Sequence, residues 1–286
     1  MGGVLSPTDS DGAIFPRDLH FSEADFRAVR SLLYQRTGIA LSDAKNHMAY
    51  ARLAKRVRHQ GFSSFADYLA LLSSERGAGE WEHFINSLTT NLTSFFRESH
   101  HFDILRQHAQ QHAGNGGPYQ VWSSAASTGE EPYSILFTLA QSLGGRDYRI
   151  VASDIDTNVL SKAAAGVYAA DRVEKLDTDL LRQFFVRGVG SNAGKVKVKA
   201  AWSRQIDFRR INLVDDSWPQ LEQFDVIFCR NVLIYFDKPT QAGILEHFAR
   251  HLKPHGLLLL GHSENIQHIS TTFEPCGKTA YRLARG

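Results

Sequence analysis

From Tyr119 onward, short β-rich runs alternate with helical runs, and few architectures accept that rhythm. The strand candidates are Tyr119–Ser123, Tyr148–Ala152, Ile206–Ile211, Phe224–Cys229 and Gly256–Leu260. Helical patterns fall between several of them, at Pro132–Leu143, Asn158–Ala165 and Pro239–Leu252. Strands separated by crossover helices pair in parallel, and the helices cover both sheet faces. The expectation is a doubly wound α/β domain over residues 119–286, led into by a loop at His112–Pro118. Residues 170–205 break the alternation. There a Gly-rich turn from Arg187 to Gly194 precedes the run Lys195–Lys199, which predicts a small antiparallel insertion.

The preceding sequence reads as helices alone. Phe21–Thr37 carries a weak capping pair, Ser22 and Asp25, with Phe26, Val29, Leu32 and Leu33 at helical spacing and Gly38 as a stop. A second helix runs from about Asp43 to His59, a third from about Ser64 to Leu72. A fourth places Trp81, Phe84, Ile85 and Leu88 on one stripe. The expected organisation is a disordered tail at 1–17, a helical domain at 18–90, a linker and helix at 91–118, and then the α/β domain.

Composition narrows the class. An apolar fraction of 43% and a charged fraction of 22% are ordinary for a globular chain. No apolar run approaches the roughly 20 residues of a membrane span, and the N-terminus lacks a secretory pattern. Cys229 and Cys276 are the only cysteines, which fits a reducing cytosol better than a disulfide scaffold. No metal-ligand spacing is present, and Pro254 separates His251 from His255. A net charge of +2 gives no reason to expect nucleic acid.

In an open α/β sheet, ligands bind beyond the carboxyl ends of the strands. The first such end reads Ser123-Ser-Ala-Ala-Ser-Thr-Gly-Glu-Glu-Pro132. Its small residues admit close backbone approach, but a single Gly129 is not a pyrophosphate cradle. Glu130 and Glu131 would repel phosphate; they suit a ligand's amine or ribose hydroxyls, or simply cap a tight turn. The second end, Ser153-Asp-Ile-Asp156, offers Asp154 where ribose hydroxyls are held, with Asp156 suited to capping the next helix. Asn212 and Asn231 close the next two strands, where an adenine or a methionyl group could be hydrogen-bonded. Tyr235 follows Asn231 by four residues. An aromatic there favours a sulfonium centre through cation–π attraction, and a merely packed aromatic fits the spacing equally well.

Five blocks carry a family resemblance: Thr90–Glu98, Trp122–Ser134, Ala152–Thr157, Phe228–Asp237 and Gly261–Asn265. In order and content they resemble the signature blocks of the chemotaxis receptor methyltransferase (CheR) family, over essentially residues 20–284. The resemblance implies S-adenosylmethionine across the sheet's carboxyl edge, S-adenosylhomocysteine as product, and no metal. Position by position, it implies contacts from Asn91, Thr93 and Arg97 in the linker. From the strand ends it implies Glu130, Asp154, Asn212, Leu213, Asn231 and Val232. Arg97 and Tyr235 would be the catalytic residues, with Tyr235 close to the transferable methyl. It further implies γ-glutamyl methyl ester formation on chemotaxis receptors, as part of sensory adaptation. A glutamate acceptor is ionised at neutral pH, so the lack of an evident base–nucleophile pair is expected. The missing Asn/Asp-Pro-Pro-aromatic motif argues against a nucleic acid methyltransferase. A non-catalytic receptor-binding or cofactor-sensing module on the same fold remains the alternative.

The second helix sets Arg52, Lys55 and Arg56 roughly opposite its apolar residues, with Arg58 at the edge. Alone this is a solvated basic face; the resemblance makes it a docking surface for glutamate-rich receptor helices. The insertion resembles the family's β-subdomain, which in some members captures a receptor's C-terminal pentapeptide as an added strand. Gly188, Gly190 and Gly194 mark that loop. The chain is therefore expected to be a cytoplasmic monomer recruited to receptor arrays, without membrane insertion or nucleic acid.

Overall fold

The structure is a computed structural model that describes residues 19–114, 117–219 and 221–284. The tail expected to be disordered at 1–17 lies outside the described residues.

Four helices come first: α1 (Glu23–Thr37), α2 (Asn46–His59), α3 (Phe65–Leu72) and α4 (Trp81–Leu88). Ser22 and Asp25 form a reciprocal capping box at the start of α1. Gly38 ends it at φ +69°, and a Cβ there would stand 2.6 Å from Val214. That position therefore demands glycine twice over, for backbone conformation and for space. The apolar stripes meet in one core of Phe26, Val29, Leu33, Leu53, Val57 and Phe84, among others.

An irregular segment leads to α5 (His100–His112), and the alternation follows: β1 (Tyr119–Ser123), α6 (Glu130–Ser142), β2 (Tyr148–Asp154) and α7 (Thr157–Ala165). Next come β3 (Val167–Ala169), α8 (Thr178–Phe184), β4 (Phe185–Arg187), β5 (Lys195–Val198) and α9 (Ala200–Ser203). The chain closes with β6 (Ile206–Arg210), β7 (Phe224–Cys229), α10 (Lys238–His251), β8 (Leu252–Leu260), β9 (Phe273–Gly277) and β10 (Ala280–Leu283). The main sheet has the order β6-β2-β1-β7-β8-β10-β9. Neighbours from β6 to β8 are parallel, and β10 is antiparallel to both β8 and β9. The order reverses between β1 and β7, which opens a crevice at the carboxyl edge. β1 and β7 are buried along their whole length, as strands covered on both faces must be.

The doubly wound expectation holds, with local corrections. α6 begins at Glu130 rather than Pro132, so the proline sits in the first turn, where its missing N–H costs nothing. β8 begins at Leu252, ahead of the expected Gly256 and through Pro254. The antiparallel insertion is a second sheet of order β3-β5-β4, and it starts at Val167, earlier than expected. β9 and β10 were not anticipated.

The helical layer is joined to the sheet by backbone as well as side chains. The Ala40 N–H donates to the Tyr235 carbonyl at 2.8 Å, and Ile39 forms an isolated antiparallel bridge with Phe236. The Tyr34 hydroxyl reaches Asp237 at 2.6 Å. No helix among the described residues is long and apolar enough to cross a membrane.

Candidate active site

A cavity of about 370 Å³ opens at the carboxyl edge of β1, β2 and β7. The irregular 89–97 segment and the turn after α1 close over it. Asn91, Thr93, Arg97, Asp154, Asn212, Leu213, Asn231, Val232 and Tyr235 all line it, so the structure brings nine sequence-flagged residues to one place.

At the end of β1 the chain turns sharply. Ser124 and Ala126 donate to the carbonyls of Phe228 and Ser153, and the Ser127 N–H donates to Asp154 at 2.8 Å. Gly129 has φ +97°, and a Cβ there would lie 2.9 Å from the Ala163 backbone. Only glycine permits this approach of loop and α7. The two glutamates that follow diverge. Glu130 is buried with its carboxylate on Thr128 and Arg172, outside the cavity lining, so it is not where the sequence placed it. Glu131 lines the cavity instead, held by the Ser123 hydroxyl at 2.7 Å and by Arg230 at 2.8 Å. The reason is helix phase: at the start of α6, adjacent side chains point about 100° apart, and only one faces the crevice.

Asp154 is 8% exposed and pairs with no cation among the described residues. Burial pushes its carboxyl up to about 6, against the opposing hydrogen bonds from the Asp156, Ser127 and Ile155 backbone. Asp156 caps α7 through the amides of Asn158 and Val159. Its other oxygen accepts from the Thr89 hydroxyl at 2.6 Å and the Asn91 amide at 2.9 Å.

The loop after β7 is organised by Glu264, which the sequence reading did not assign. This buried carboxylate accepts the backbone N–H groups of Gly261, Asn231, Val232 and Leu233. Burial raises its pKa, with these donors opposing. They hold Asn231 at φ +58°. Arg230, also missed, is 5% exposed; it donates to Glu131 and to the Arg97 carbonyl, and stands 3.6 Å from Glu98. Its Nε has no partner among the described residues. An arginine directly after a strand that is apolar but for Asp225 was the available signal. Glu98 is pushed up by burial, but the His262 hydrogen bond and the Arg230 charge outweigh that and hold it down to about 2. The Arg97 guanidinium donates to the Leu92 carbonyl at 2.9 Å. Asn212 donates to the Arg36 carbonyl and to Asp215.

On α2, the four candidate docking cations separate. Lys55 and Arg58 are exposed and make no side-chain hydrogen bond or ion pair among the described residues. Arg52 is half-buried and donates to the carbonyls of Leu88 and Thr89 and to the Thr90 hydroxyl. Arg56 does not stand on a free basic face. It forms a two-pronged pair with Glu80 at 2.5 Å, which also accepts from Tyr68 and Gln60. Gly188, Gly190 and Gly194 lie in the β4–β5 turn, where the Gly188 N–H closes onto the Lys195 carbonyl at 2.8 Å.

Comparison with known families decides what this crevice belongs to. The CheR methyltransferase all-alpha domain matches residues 24–89, and the CheR methyltransferase SAM binding domain matches residues 91–282. The chain belongs to the CheR methyltransferase family. It is similar to the chemotaxis protein methyltransferase of Escherichia coli (strain K12), 49% identical over 270 residues and 93% of each chain. It is 46% identical over 281 residues to chemotaxis protein methyltransferase 2 of Pseudomonas aeruginosa, covering 97% of this chain and 100% of that one. The Klebsiella aerogenes chemotaxis protein methyltransferase is 50% identical over 269 residues, 93% of this chain and 92% of that one. Every lining residue from Asn91 to Phe236 falls inside the CheR SAM binding domain, while Thr37–Leu88 belongs to the helical layer.

This CheR cavity fits S-adenosylmethionine on its own chemistry. Its volume is in the range of small-molecule sites. A buried carboxylate with no counter-cation among the described residues stands at the β2 end, and a carboxylate–guanidinium pair stands at the β1 and β7 ends. These suit a diol at one end and an amino acid at the other.

Proposed function

We propose that this chain methylates glutamate side chains of chemotaxis receptors, forming γ-glutamyl methyl esters. The observation that carries the reading is the charge of the cavity. Its lining sets three cations, Lys45, Arg97 and Arg230, against two carboxylates, Glu131 and Asp154, and among the described residues it includes neither histidine nor cysteine. An anionic acceptor is attracted there, and no base is needed because its carboxylate is already ionised at neutral pH.

S-adenosylmethionine supplies an electrophilic methyl group on a sulfonium. Asp154 would accept the ribose hydroxyls, for which its carboxylate keeps lone-pair capacity beyond the backbone N–H groups of Ser127, Ile155 and Asp156. Glu131 and Arg230 face the amino-acid end, in place of the expected Glu130. Asn91, Thr93, Asn212, Leu213, Asn231 and Val232 enclose the rest. Arg97 directs the acceptor carboxylate, and the Tyr235 ring presents its face to positive charge. Catalysis then rests on alignment and exclusion of water.

Lys55 and Arg58, with Arg52 beside the linker, form the docking surface for acidic receptor helices. Arg56 is left out because Glu80 already neutralises it. β4 is an edge of the small sheet, and the Gly188–Gly194 turn borders it, which suits capture of a receptor's C-terminal peptide as an added strand. The chain then works as a cytoplasmic monomer recruited to receptor arrays.

The test is transfer of radiolabelled methyl from S-adenosylmethionine to receptor membranes, with and without the receptors' C-terminal pentapeptide. Base-labile label on the receptor is the expected result. Cofactor binding with no transfer to any receptor offered would overturn the proposal.

A further inference from the structure

Residues 89–99, between α4 and α5, contain no regular secondary structure, yet they carry Asn91, Thr93 and Arg97. A segment with so few hydrogen bonds of its own takes its shape from outside contacts. Among the described residues these are side chains distant in sequence. Asp156 holds Thr89 and Asn91, the Ser134 hydroxyl accepts the Phe96 N–H at 2.9 Å, and Arg230 binds the Arg97 carbonyl. Arg52 also binds the Thr89 carbonyl, the Ser127 hydroxyl donates to the Asn91 carbonyl, and a further anchor comes from the small sheet. Arg172, just after β3, donates one Nη2 to the Thr93 carbonyl at 2.7 Å and to the buried Glu130 carboxylate. Phe95 packs beside it against Tyr168 of β3 and Phe185 of β4, with ring centroids 5.0 and 5.9 Å away.

We infer that Arg172 is a positioning residue for cofactor binding, fixing the Thr93 carbonyl and thereby the Asn91–Arg97 wall of the cavity. The small sheet is thus part of the active-site wall and not only a handle for a receptor tail. Glu130 explains how the arginine is aimed. Its carboxylate is 1% exposed and itself held by the Thr128 hydroxyl at 2.6 Å, so it presents a fixed anion to a side chain that is 40% exposed. An otherwise mobile arginine is thereby held over one carbonyl. The inference rests on cofactor binding at this cavity and is independent of which acceptor is methylated.

The rival reading is that Arg172 merely neutralises the buried Glu130. Calorimetric titration of S-adenosylhomocysteine separates the two, using R172A, R172K, E130Q and the double variant E130Q/R172A. Positioning predicts about tenfold weaker binding in R172A, the size of one charge-assisted hydrogen bond, and partial recovery in R172K. It also predicts that E130Q/R172A stays weak although no buried charge remains. The double variant keeps the test available if R172A fails to fold. Wild-type affinity in E130Q/R172A, or in a folded R172A, would overturn the inference.

Discussion

At the end of β2 the backbone N–H of Asp156 donates to the Asp154 carboxylate over 3.0 Å, joining two acids whose tasks differ. Asp156 directs its charge into helix α7 and back to Thr89 and Asn91, so it is fully engaged in holding the architecture. Asp154 faces the cavity with spare acceptor capacity and no cation among the described residues, at an energetic cost that burial makes plain.

That cost gives a prediction in which stability and function move oppositely. Asp154→Asn should weaken S-adenosylhomocysteine binding at least tenfold, while thermal unfolding shows Tm unchanged or raised, because the substitution removes an unpaired buried charge. Wild-type affinity should also fall as pH drops through about 6, where this carboxylate protonates, and the variant should lack that inflection. The folding contribution runs the other way. A carboxyl raised above its unfolded value favours the folded state more as pH falls from about 6 toward the unfolded range. Calorimetric titrations across pH 5 to 8 check both.

The α2 cations should divide in two assays. Arg56→Ala strands the buried Glu80 and should cost about 3 kcal/mol of stability, read by denaturant unfolding. Lys55→Ala with Arg58→Ala should leave stability and cofactor affinity within error, yet slow receptor association, most visibly at low salt. Loss of stability in the second pair would contradict their exposure.

Glu264 sets a third expectation. Glu264→Gln places an amide donor among four backbone N–H donors. One or two would go unsatisfied, a cost of about 1–3 kcal/mol each. The loop carrying Asn231 and Val232 should loosen, raising the Kd for the cofactor and speeding hydrogen exchange at residues 231–233.

For Tyr235, the hydroxyl makes no hydrogen bond among the described residues, whereas the residue lines the cavity. Tyr235→Phe should keep kcat within a few-fold, and Tyr235→Ala should lower it at least tenfold, since the ring face is what attracts positive charge. Single-turnover methyl transfer distinguishes them; a large loss in the phenylalanine variant would assign the work to the hydroxyl.

How much of this was legible beforehand depended on whether cause and effect lay close in sequence. The α/β alternation and the α1 capping box are local patterns, and both were readable. β9 and β10 were not, because Phe273–Gly277 contains Pro275 and a glycine and is largely exposed. Asp154 was readable as the first acid after a strand. The choice between Glu130 and Glu131 turned on where α6 begins, which pattern alone placed two residues late. A helical wheel set Arg56 toward solvent, because its partner Glu80 lies 24 residues away. The shape of 89–99 was the least readable feature, being imposed by Asp156, Ser134, Arg172 and Arg230.

The bond from Ala40 to the Tyr235 carbonyl carries a consequence for how such chains diverge. The turn bearing Tyr235 borrows its pairing partner from the end of α1, whose Gly38 has no room for a side chain. Grafting the helical layer of one relative onto the sheet of another would therefore have to transfer Gly38–Ala40 and Tyr235–Asp237 as one heritable unit. Chimeras cut between them should still bind the nucleoside and lose turnover.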